Sequence, residues 1–402
     1  MNDQPRKEEP AREPRPGLFR DVVLAPDRDA DLAPRPIVSL HEEDEAAYRR
    51  EVSERETARV TLHRRGVEHG TYAVLDPAGL MGPRLRRKRR EALERERWFA
   101  ARPIMLEAQF EQLARETKGL ARGLFERLAR GEFESWLAAR ASALEPRFVR
   151  EALETAPAAL ADPERDLARA GFSTRDGLAD FWIKLARLST HPDDRSLRLR
   201  LSFGQEGEDD ASLDEERHGV LAEIARPLLP GFTGVEHHQP VVERLAALVG
   251  APILFTQPIG YWNVAGGGAR FHHDSFGEND GQRGVLFVQL TGRSFWLALS
   301  IRDLADRLRE FVGEETSETA ELARRPAAAL AELALPDCGR FGELIDAPSF
   351  TAFLADAGHA VLLEPGDAIV LPNHGPDRTA MHSVFGVARR PAYGLSLAIR
   401  AR

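Results

Sequence analysis

The sequence predicts an α+β fold in which a mainly helical N-terminal region precedes a C-terminal β-barrel with a helical insertion. Before residue 250, apolar residues recur mostly at the spacing of amphipathic helices. From residue 252, short aromatic and β-branched segments punctuated by Gly and Pro are typical of strands. Helical character returns over 302–358, and strands then resume. We therefore divide the chain into regions 39–250 and 251–402, preceded by an N-terminal tail.

The composition is that of a globular protein, with 402 residues, 43% of them hydrophobic and 30% charged. No apolar run reaches the roughly 18 residues that a membrane-spanning helix needs, and residues 1–16 lack the apolar core of a signal peptide. The single cysteine, Cys338, precludes an intrachain disulfide. We expect a cytoplasmic protein without a membrane partner, and a disordered tail over residues 1–38, which are rich in Pro and charge.

The formal net charge of −9 argues against a dedicated nucleic-acid binder, because phosphate binding relies on clustered positive charge. The basic run at 84–90 is a local exception. We interpret this run as the exposed face of a polar helix over 84–101. Contact with a phosphate, RNA or an acidic partner is the alternative interpretation.

In the region 39–250, most patterns predict helices. Apolar residues from Leu106 to Leu128 recur at steps of three, four and seven, which is the stripe of an amphipathic helix. The further helices predicted in this region lie at 133–142, 148–155, 176–188 and 241–249, the last ended by Gly250. The strands predicted in this region lie at 60–63, 71–75 and 197–203.

Eight short segments after residue 252 predict the strands of the barrel. Four of them precede the helical insertion, at 253–256, 260–264, 284–290 and 294–299. The other four follow the insertion, at 360–363, 368–371, 381–387 and 392–401.

The segment Phe271-His272-His273-Asp274 carries the most specific chemical signal. In an extended chain, residues two apart point to the same side, so His272 and Asp274 lie together and His273 points away. A second imidazole, His382, opens a later strand. Two imidazoles and one carboxylate form the facial triad that binds Fe(II) and leaves three coordination positions open. Strand groups that both supply ligands to one ion describe a double-stranded β-helix, or jelly roll.

Neighbouring motifs strengthen this interpretation. The glycines at 266–268 suit a sharp turn or a close backbone approach immediately before the histidines. A Pro-Gly-Asp turn at 365–367 launches a strand that ends at Pro372. His374 is an alternative distal ligand, but it lies in a turn-rich segment, so we favour His382.

With these motifs, the region 252–402 resembles the JmjC and cupin-like Fe(II)/2-oxoglutarate-dependent oxygenases. The motifs that follow the family's order are His272-His273-Asp274, the Gln289-to-Gly292 segment with Trp296 after it, Gly366-Asp367, Pro372 and His382-Ser383-Val384. The resemblance implies Fe(II), 2-oxoglutarate and O₂ as cofactors, with His272, Asp274 and His382 as metal ligands and catalytic residues. Because related halogenases lack the carboxylate, Asp274 implies oxygenation.

The chain departs from the family where the far carboxylate of 2-oxoglutarate is bound. Many relatives have a lysine shortly after the Gln-x-x-Gly segment, and the matching residue here is Ser294. A replacement cation is needed, and Arg400 with Ser396 on one strand face is one candidate. The other candidates for co-substrate contacts are Arg293, Arg390 and Gln289, with Tyr261 and Asn263 for the metal-proximal carboxylate.

The sequence leaves three functions open. The first is a hydroxylase of a protein or peptide side chain or of a small natural product, with demethylation as a variant. The second is a cupin-type dioxygenase or isomerase that does not use 2-oxoglutarate, which the missing lysine leaves open. The third is a non-catalytic binding module. Related barrels often dimerise through helices, so the resemblance also implies a homodimer as one assembly.

Overall fold

The computed structural model describes residues 58–74, 87–155, 166–189, 191–204, 214–274 and 282–402. Within them the chain combines helices with one large antiparallel sheet, which confirms the α+β class. The strands of this part are β1 (Ala58–Arg64), β2 (Val67–Val74), β3 (Ile104–Leu106), β4 (Phe148–Thr155), β5 (Asp166–Thr174), β6 (Phe181–Arg187), β7 (Leu197–Phe203), β8 (Ile253–Asn263), β9 (Gln282–Thr291), β10 (Ser294–Ser300), β11 (Ala360–Leu363), β12 (Ala368–Pro372), β13 (Ala380–Gly386) and β14 (Ala392–Ala401).

The helices fall into two groups on either side of the strands β8–β10. The first group is α1 (Arg87–Phe99), α2 (Glu111–Ala129), α3 (Phe133–Ala138), α4 (Ala141–Leu144), α5 (Glu215–Leu228), α6 (Phe232–Glu236) and α7 (Gln239–Val249). The second group, the helical insertion, is α8 (Ile301–Val312), α9 (Glu318–Ala323), α10 (Pro326–Leu333), a 3₁₀ segment at Pro336–Phe341, α11 (Gly342–Ile345) and α12 (Pro348–Asp356).

Three sheets organise the described part of the chain. The large sheet has the order β3-β12-β9-β14-β8-β7-β6-β5-β4, and all of its pairs are antiparallel. The small sheet has the order β11-β10-β13. Strands β1 and β2 form a separate hairpin.

The apolar residues divide into layers around these sheets. One face of the large sheet packs on helices of the first group. The opposite face of β9 and β12 packs on the small sheet, so that Phe287 and Ile369 meet Trp296 and Val384. The far face of the small sheet packs on the insertion helices and on the β1–β2 hairpin. The small sheet is therefore buried on both faces, which explains its nearly continuous apolar sequence.

Most predicted elements are present. The strands predicted after residue 252 are found, with 253–256 and 260–264 joined into the single strand β8. Helix α7 ends at Gly250, whose φ of 81° is the left-handed conformation expected there. The chain leaves β10 for the insertion at Ser300, whose hydroxyl accepts a hydrogen bond from the N–H of Asp303 and caps α8.

Two helix predictions are wrong. The segments 148–155 and 176–188 contain β4 and β6, and β5 lies between them. The sequence of β6 misled the prediction because both of its faces are buried, so no polar alternation marks it as a strand. The region 39–250 is therefore less helical than expected, since β4–β7 extend the large sheet beyond β8.

The predicted helix from Leu106 also begins later than expected. Leu106 lies in β3, which pairs with β12, and α2 starts at Glu111. The tail 1–38 and the first part of the basic run lie outside the described residues, while α1 carries its remainder. No helix among the described residues is both long enough and apolar enough to cross a membrane.

The glycine turn before the histidines shows the predicted close approach. Gly268 has a φ of 121°, and a Cβ built on it would lie 2.1 Å from the carbonyl oxygen of Val384 in β13. Only a residue without a side chain lets the two segments approach this closely.

We expect Gly268→Ala to lower the free energy of unfolding by roughly 3 kcal/mol or more, because both the φ angle and the backbone contact exclude a methyl group. The measurement is urea unfolding followed by circular dichroism. Gly123→Ala, in α2 with nothing within 4 Å of its built Cβ, is the matched control and should raise stability by about 0.5–1 kcal/mol. Equal stability of the two variants would contradict the tight packing of this turn.

Candidate metal centre

His272 and His382 face each other through a direct backbone contact. The N–H of each residue donates to the carbonyl oxygen of the other, and both distances are 3.0 Å. Because directly opposed residues of an antiparallel pair point to the same side, the two rings meet, with centroids 4.1 Å apart. His382 lies in β13 and His272 in the short segment that pairs with it, so this pairing brings two residues that are distant in sequence together.

Asp274 completes a cluster with the two histidines. Its carboxylate oxygens lie 3.7 Å from Nε2 of His272 and 3.7 Å from Nε2 of His382. These distances are too long for hydrogen bonds, but one ligand atom from each of the three residues lies within 4.8 Å of the others. Two imidazoles and one carboxylate on one side of a pocket are the donor set of a non-haem Fe(II) site.

The ring of His272 is oriented by the backbone. Its Nδ1 lies 2.8 Å from the carbonyl oxygen of Arg270, and a proton on Nδ1 leaves the lone pair of Nε2 for a metal. The adjacent His273 turns away, as expected, and its Nε2 lies 3.1 Å from the carbonyl oxygen of Ala334 in the insertion. The amide of Gln282 donates to the backbone oxygen of Asp274 at 2.9 Å and anchors the third residue.

His382 is held by stacking. Its ring lies on the indole of Trp296, with centroids 5.2 Å apart and an angle of 15° between the planes. Burial, reinforced by the neighbouring His272 and His273, holds the pKa of His382 well below its usual value. The imidazole is therefore neutral at pH 7, which is the form that binds metals.

The three side chains lie at one wall of a pocket between the two sheets. The residues that line this pocket, in the described part of the chain, are Leu188, Tyr261, Asn263, Ala269, His272, Asp274, Val285, Phe287, Trp296, Leu371, His382, Val384 and Ser396. The walls are mostly apolar, and no lysine or arginine belongs to this set.

Some of the predicted co-substrate residues line this pocket and others do not. Tyr261, Asn263 and Ser396 line the pocket with the three candidate ligands. Ser294 is fully buried below it, where its hydroxyl donates to Oε1 of Gln289 at 2.5 Å and accepts from the indole N–H of Trp296 at 2.7 Å. At the position where the resembled oxygenases have a lysine, this chain therefore has a serine whose hydrogen bonds are made to two uncharged side chains, Gln289 and Trp296.

The predicted arginines do not line the pocket. Arg400 is buried, and its Nε donates to the hydroxyl of Thr256 at 3.1 Å. Arg293 lies on the protein surface 3.4 Å from Glu364, beside a second groove that also contains Arg390. The rival histidine, His374, is outside the cluster, because its Nε2 lies 2.6 Å from the carbonyl oxygen of Trp98.

The sequence interpretation missed two residues that shape this site. Trp296 was noted only as part of a motif, although its ring supports His382 and its N–H closes the network around Ser294. Leu188 lines the pocket from the end of β6, in a segment that was predicted to be helical. An aromatic residue two positions after a buried polar residue in a strand was the available signal for Trp296.

No protein-family model and no curated protein matches the chain. Solved structures that match include the ribosomal oxygenase YcfD from Escherichia coli, at 16% identity and a TM-score of 0.22, over 67% of this chain and 43% of that one. The same protein in complex with cobalt and 2-oxoglutarate matches at 15% identity and a TM-score of 0.21, over 67% and 44%.

An oxidoreductase of the 2OG-Fe(II) oxygenase family from Burkholderia pseudomallei matches at 10% identity and a TM-score of 0.27, over 80% of this chain and 92% of that one. The matched part of this chain spans less than half the length of each of the two YcfD chains. All are oxygenases, which is the class that the sequence motifs resemble. TM-scores this low assign neither a fold nor an activity to this chain.

We expect His382→Ala to weaken Co(II) binding at least about 100-fold, because the loss of a candidate direct ligand should exceed the 10–100-fold loss typical of supporting residues. The measurement is anaerobic calorimetric titration of the folded protein. His374→Ala is the matched control. This variant should bind Co(II) like the wild type, since the imidazole of His374 contacts the carbonyl oxygen of Trp98 and lies outside the cluster. If only His374→Ala weakened Co(II) binding, His374 and not His382 would be the distal metal ligand.

Proposed function

We propose that this chain is an Fe(II)- and 2-oxoglutarate-dependent oxygenase, and that His272, Asp274 and His382 are its metal ligands. The observation that carries the proposal is the convergence of the three side chains within 4.8 Å at one wall of a pocket between two sheets. The donor set favours Fe(II) and leaves coordination positions for a co-substrate and O₂.

We also propose that the two sheets form a double-stranded β-helix. The order β12-β9-β14-β8 in the large sheet faces β11-β10-β13 in the small sheet, and the His272 segment adds a fourth member next to β13. Their shared apolar layer supports this interpretation. The strands β4–β7 would then be an extension of one barrel sheet, and the insertion helices would cover the other.

The residues at the site fit a metal ion. The neutral His382, the oriented His272 and the carboxylate of Asp274 bring three potential ligand atoms within 4.8 Å of one another. When bound, Fe(II) with 2-oxoglutarate and O₂ supplies the oxidising power to hydroxylate an unactivated C–H bond. Trp296 and Phe287 give the pocket apolar walls.

The pocket fits the metal-proximal half of 2-oxoglutarate better than the distal half. Tyr261, Asn263 and Ser396 offer hydrogen bonds to a carboxylate near the triad. We propose Arg400 as the partner of the distal carboxylate. It is buried in the same strand as Ser396, and a buried guanidinium favours a carboxylate partner. Its hydrogen bond to Thr256 would have to be exchanged for one to the co-substrate.

The proposed substrate is a C–H bond of a protein or peptide side chain, or of a small natural product. Hydroxylation is the expected outcome, since the protein needs only to hold that bond near the metal and away from water.

A second function, a cupin-type metalloenzyme that does not use 2-oxoglutarate, is favoured by one specific observation. No cation lines the described pocket, and the hydroxyl of Ser294 is already bonded to both Gln289 and Trp296. An oxygenase or isomerase that binds its substrate directly at the metal needs no distal carboxylate site.

The two functions predict different spectra. We expect 2-oxoglutarate, titrated into the anaerobic Fe(II)-loaded protein, to produce the metal-to-ligand charge-transfer band of a bidentate keto acid. Succinate should then form on admission of air, and only with both iron and 2-oxoglutarate present. Asp274→Ala should abolish both signals. Tight iron binding without the band would favour the second function.

We expect Arg400→Gln to raise the dissociation constant for 2-oxoglutarate about tenfold or more, because charge-assisted hydrogen bonds contribute roughly 1.5–3 kcal/mol. The charge-transfer band measures this constant, and Co(II) affinity should stay unchanged. Arg293→Gln is the control and should behave like the wild type, since its side chain is on the surface. If only Arg293→Gln bound 2-oxoglutarate more weakly, Arg293 and not Arg400 would be the partner of the distal carboxylate.

A further inference from the structure

The β1–β2 hairpin, which lies far from the predicted barrel in sequence, contacts the segments that carry both histidines. Its turn places the N–H of Arg65 2.9 Å from the carbonyl oxygen of Gly266, in the glycine turn before His272. Its apolar residues Val60, Leu62 and Tyr72 pack in the same core as the small sheet.

Arg64, at the end of β1, makes the central contacts. Its side chain is 2% exposed. One guanidinium nitrogen donates to the hydroxyl of Ser383 at 2.7 Å and to the carbonyl oxygen of Val384 at 2.9 Å. The guanidinium also lies 3.7 Å above the ring of Phe385. Arg64 therefore contacts the three residues that follow His382 in β13.

The same side chain reaches the His272 segment through Asp346. The other terminal nitrogen of Arg64 pairs with Oδ1 of Asp346, and Oδ2 of Asp346 lies 2.9 Å from Nε of Arg270. The backbone oxygen of Arg270 is the partner of Nδ1 of His272. A chain of three ionised side chains thus joins β13 to the residue that orients the first histidine.

Ser383 adds a second link between the two segments. Its hydroxyl accepts from Arg64 and donates to the carbonyl oxygen of Ala269 at 3.2 Å. The N–H of Val384 donates to the same carbonyl at 2.9 Å. The contacts of Arg64 therefore border the antiparallel pair on which His272 and His382 lie.

We infer that Arg64 is a positioning residue of the metal centre: from outside the barrel it holds the His272 and His382 segments in the register that presents both imidazoles to one ion. The inference rests on the proposed metal-binding function. Arginine suits this role because its planar fork bonds several acceptors at once, which the single ammonium of lysine does not reproduce.

The buried charge makes this arrangement costly to disrupt. Burial lowers the pKa of Arg64 to about 10, so the side chain remains charged at pH 7. Separating a buried cation from its carboxylate leaves an uncompensated charge in the interior, and this strongly destabilises the folded state. Moving either ligand segment away from Arg64 would therefore carry this cost.

The test measures Co(II) affinity and the Co(II) absorption spectrum of full-length variants. Arg64→Met keeps the length of the side chain but removes its charge and its hydrogen bonds. We expect its Co(II) dissociation constant to rise about 10- to 100-fold, as for other supporting residues of metal sites, with an altered spectrum. Arg64→Lys should recover part of the affinity. Arg226→Met, which removes an arginine paired with Glu236 away from the site, is the control and should bind like the wild type.

Ser383→Ala keeps the test decisive if Arg64→Met does not fold. We expect it to weaken Co(II) binding several-fold, in line with the 0.5–1.5 kcal/mol of one hydrogen bond. A purely structural role would lower the thermal midpoint of the metal-free variants and leave the Co(II) affinity of the folded protein unchanged. That result would overturn the role of Arg64 alone, whereas a wild-type protein that binds no Co(II) would overturn the metal site together with this role.

Discussion

The antiparallel contact between His272 and His382 is the constraint on which the rest of the site depends. Two backbone hydrogen bonds of 3.0 Å fix the register, and the register decides which side chains share a face. A shift of the incoming segment by one residue would turn His272 to the opposite side and separate the two facing imidazoles. Asp274 follows two residues after His272, so its carboxylate depends on the same register.

The surroundings of this pair hold it in place. Gly268 lets the incoming segment approach β13 at a distance that excludes a side chain. The indole of Trp296 supports one imidazole, and the backbone of Arg270 orients the other. Burial keeps His382 neutral and available as a ligand. No lysine or arginine lines the described part of this pocket, so a dicarboxylate co-substrate needs a cationic partner beyond that lining.

Sequence reasoning found the parts of the site that depend on local spacing. The two-residue period of an extended chain places His272 and Asp274 together, and a strand that opens with His382 brings the third residue. It failed where tertiary packing decides. Strand β6 is buried on both faces and resembles a helix in sequence, and the hydroxyl of Ser294, a predicted co-substrate contact, is bonded instead to Gln289 and Trp296. The role of Arg64 could not be predicted from the sequence, since nothing in its own strand indicates an ion pair with a residue as distant as Asp346.

The most direct test of the central claim is a crystal structure of the Fe(II)-soaked protein, with anomalous diffraction measured on both sides of the iron absorption edge. The proposed site predicts one anomalous peak that is bonded to Nε2 of His272, Nε2 of His382 and a carboxylate oxygen of Asp274, at roughly the 2.0–2.2 Å typical of such ligands. A fully occupied peak elsewhere, or no peak beside these three side chains at saturating iron, would contradict it.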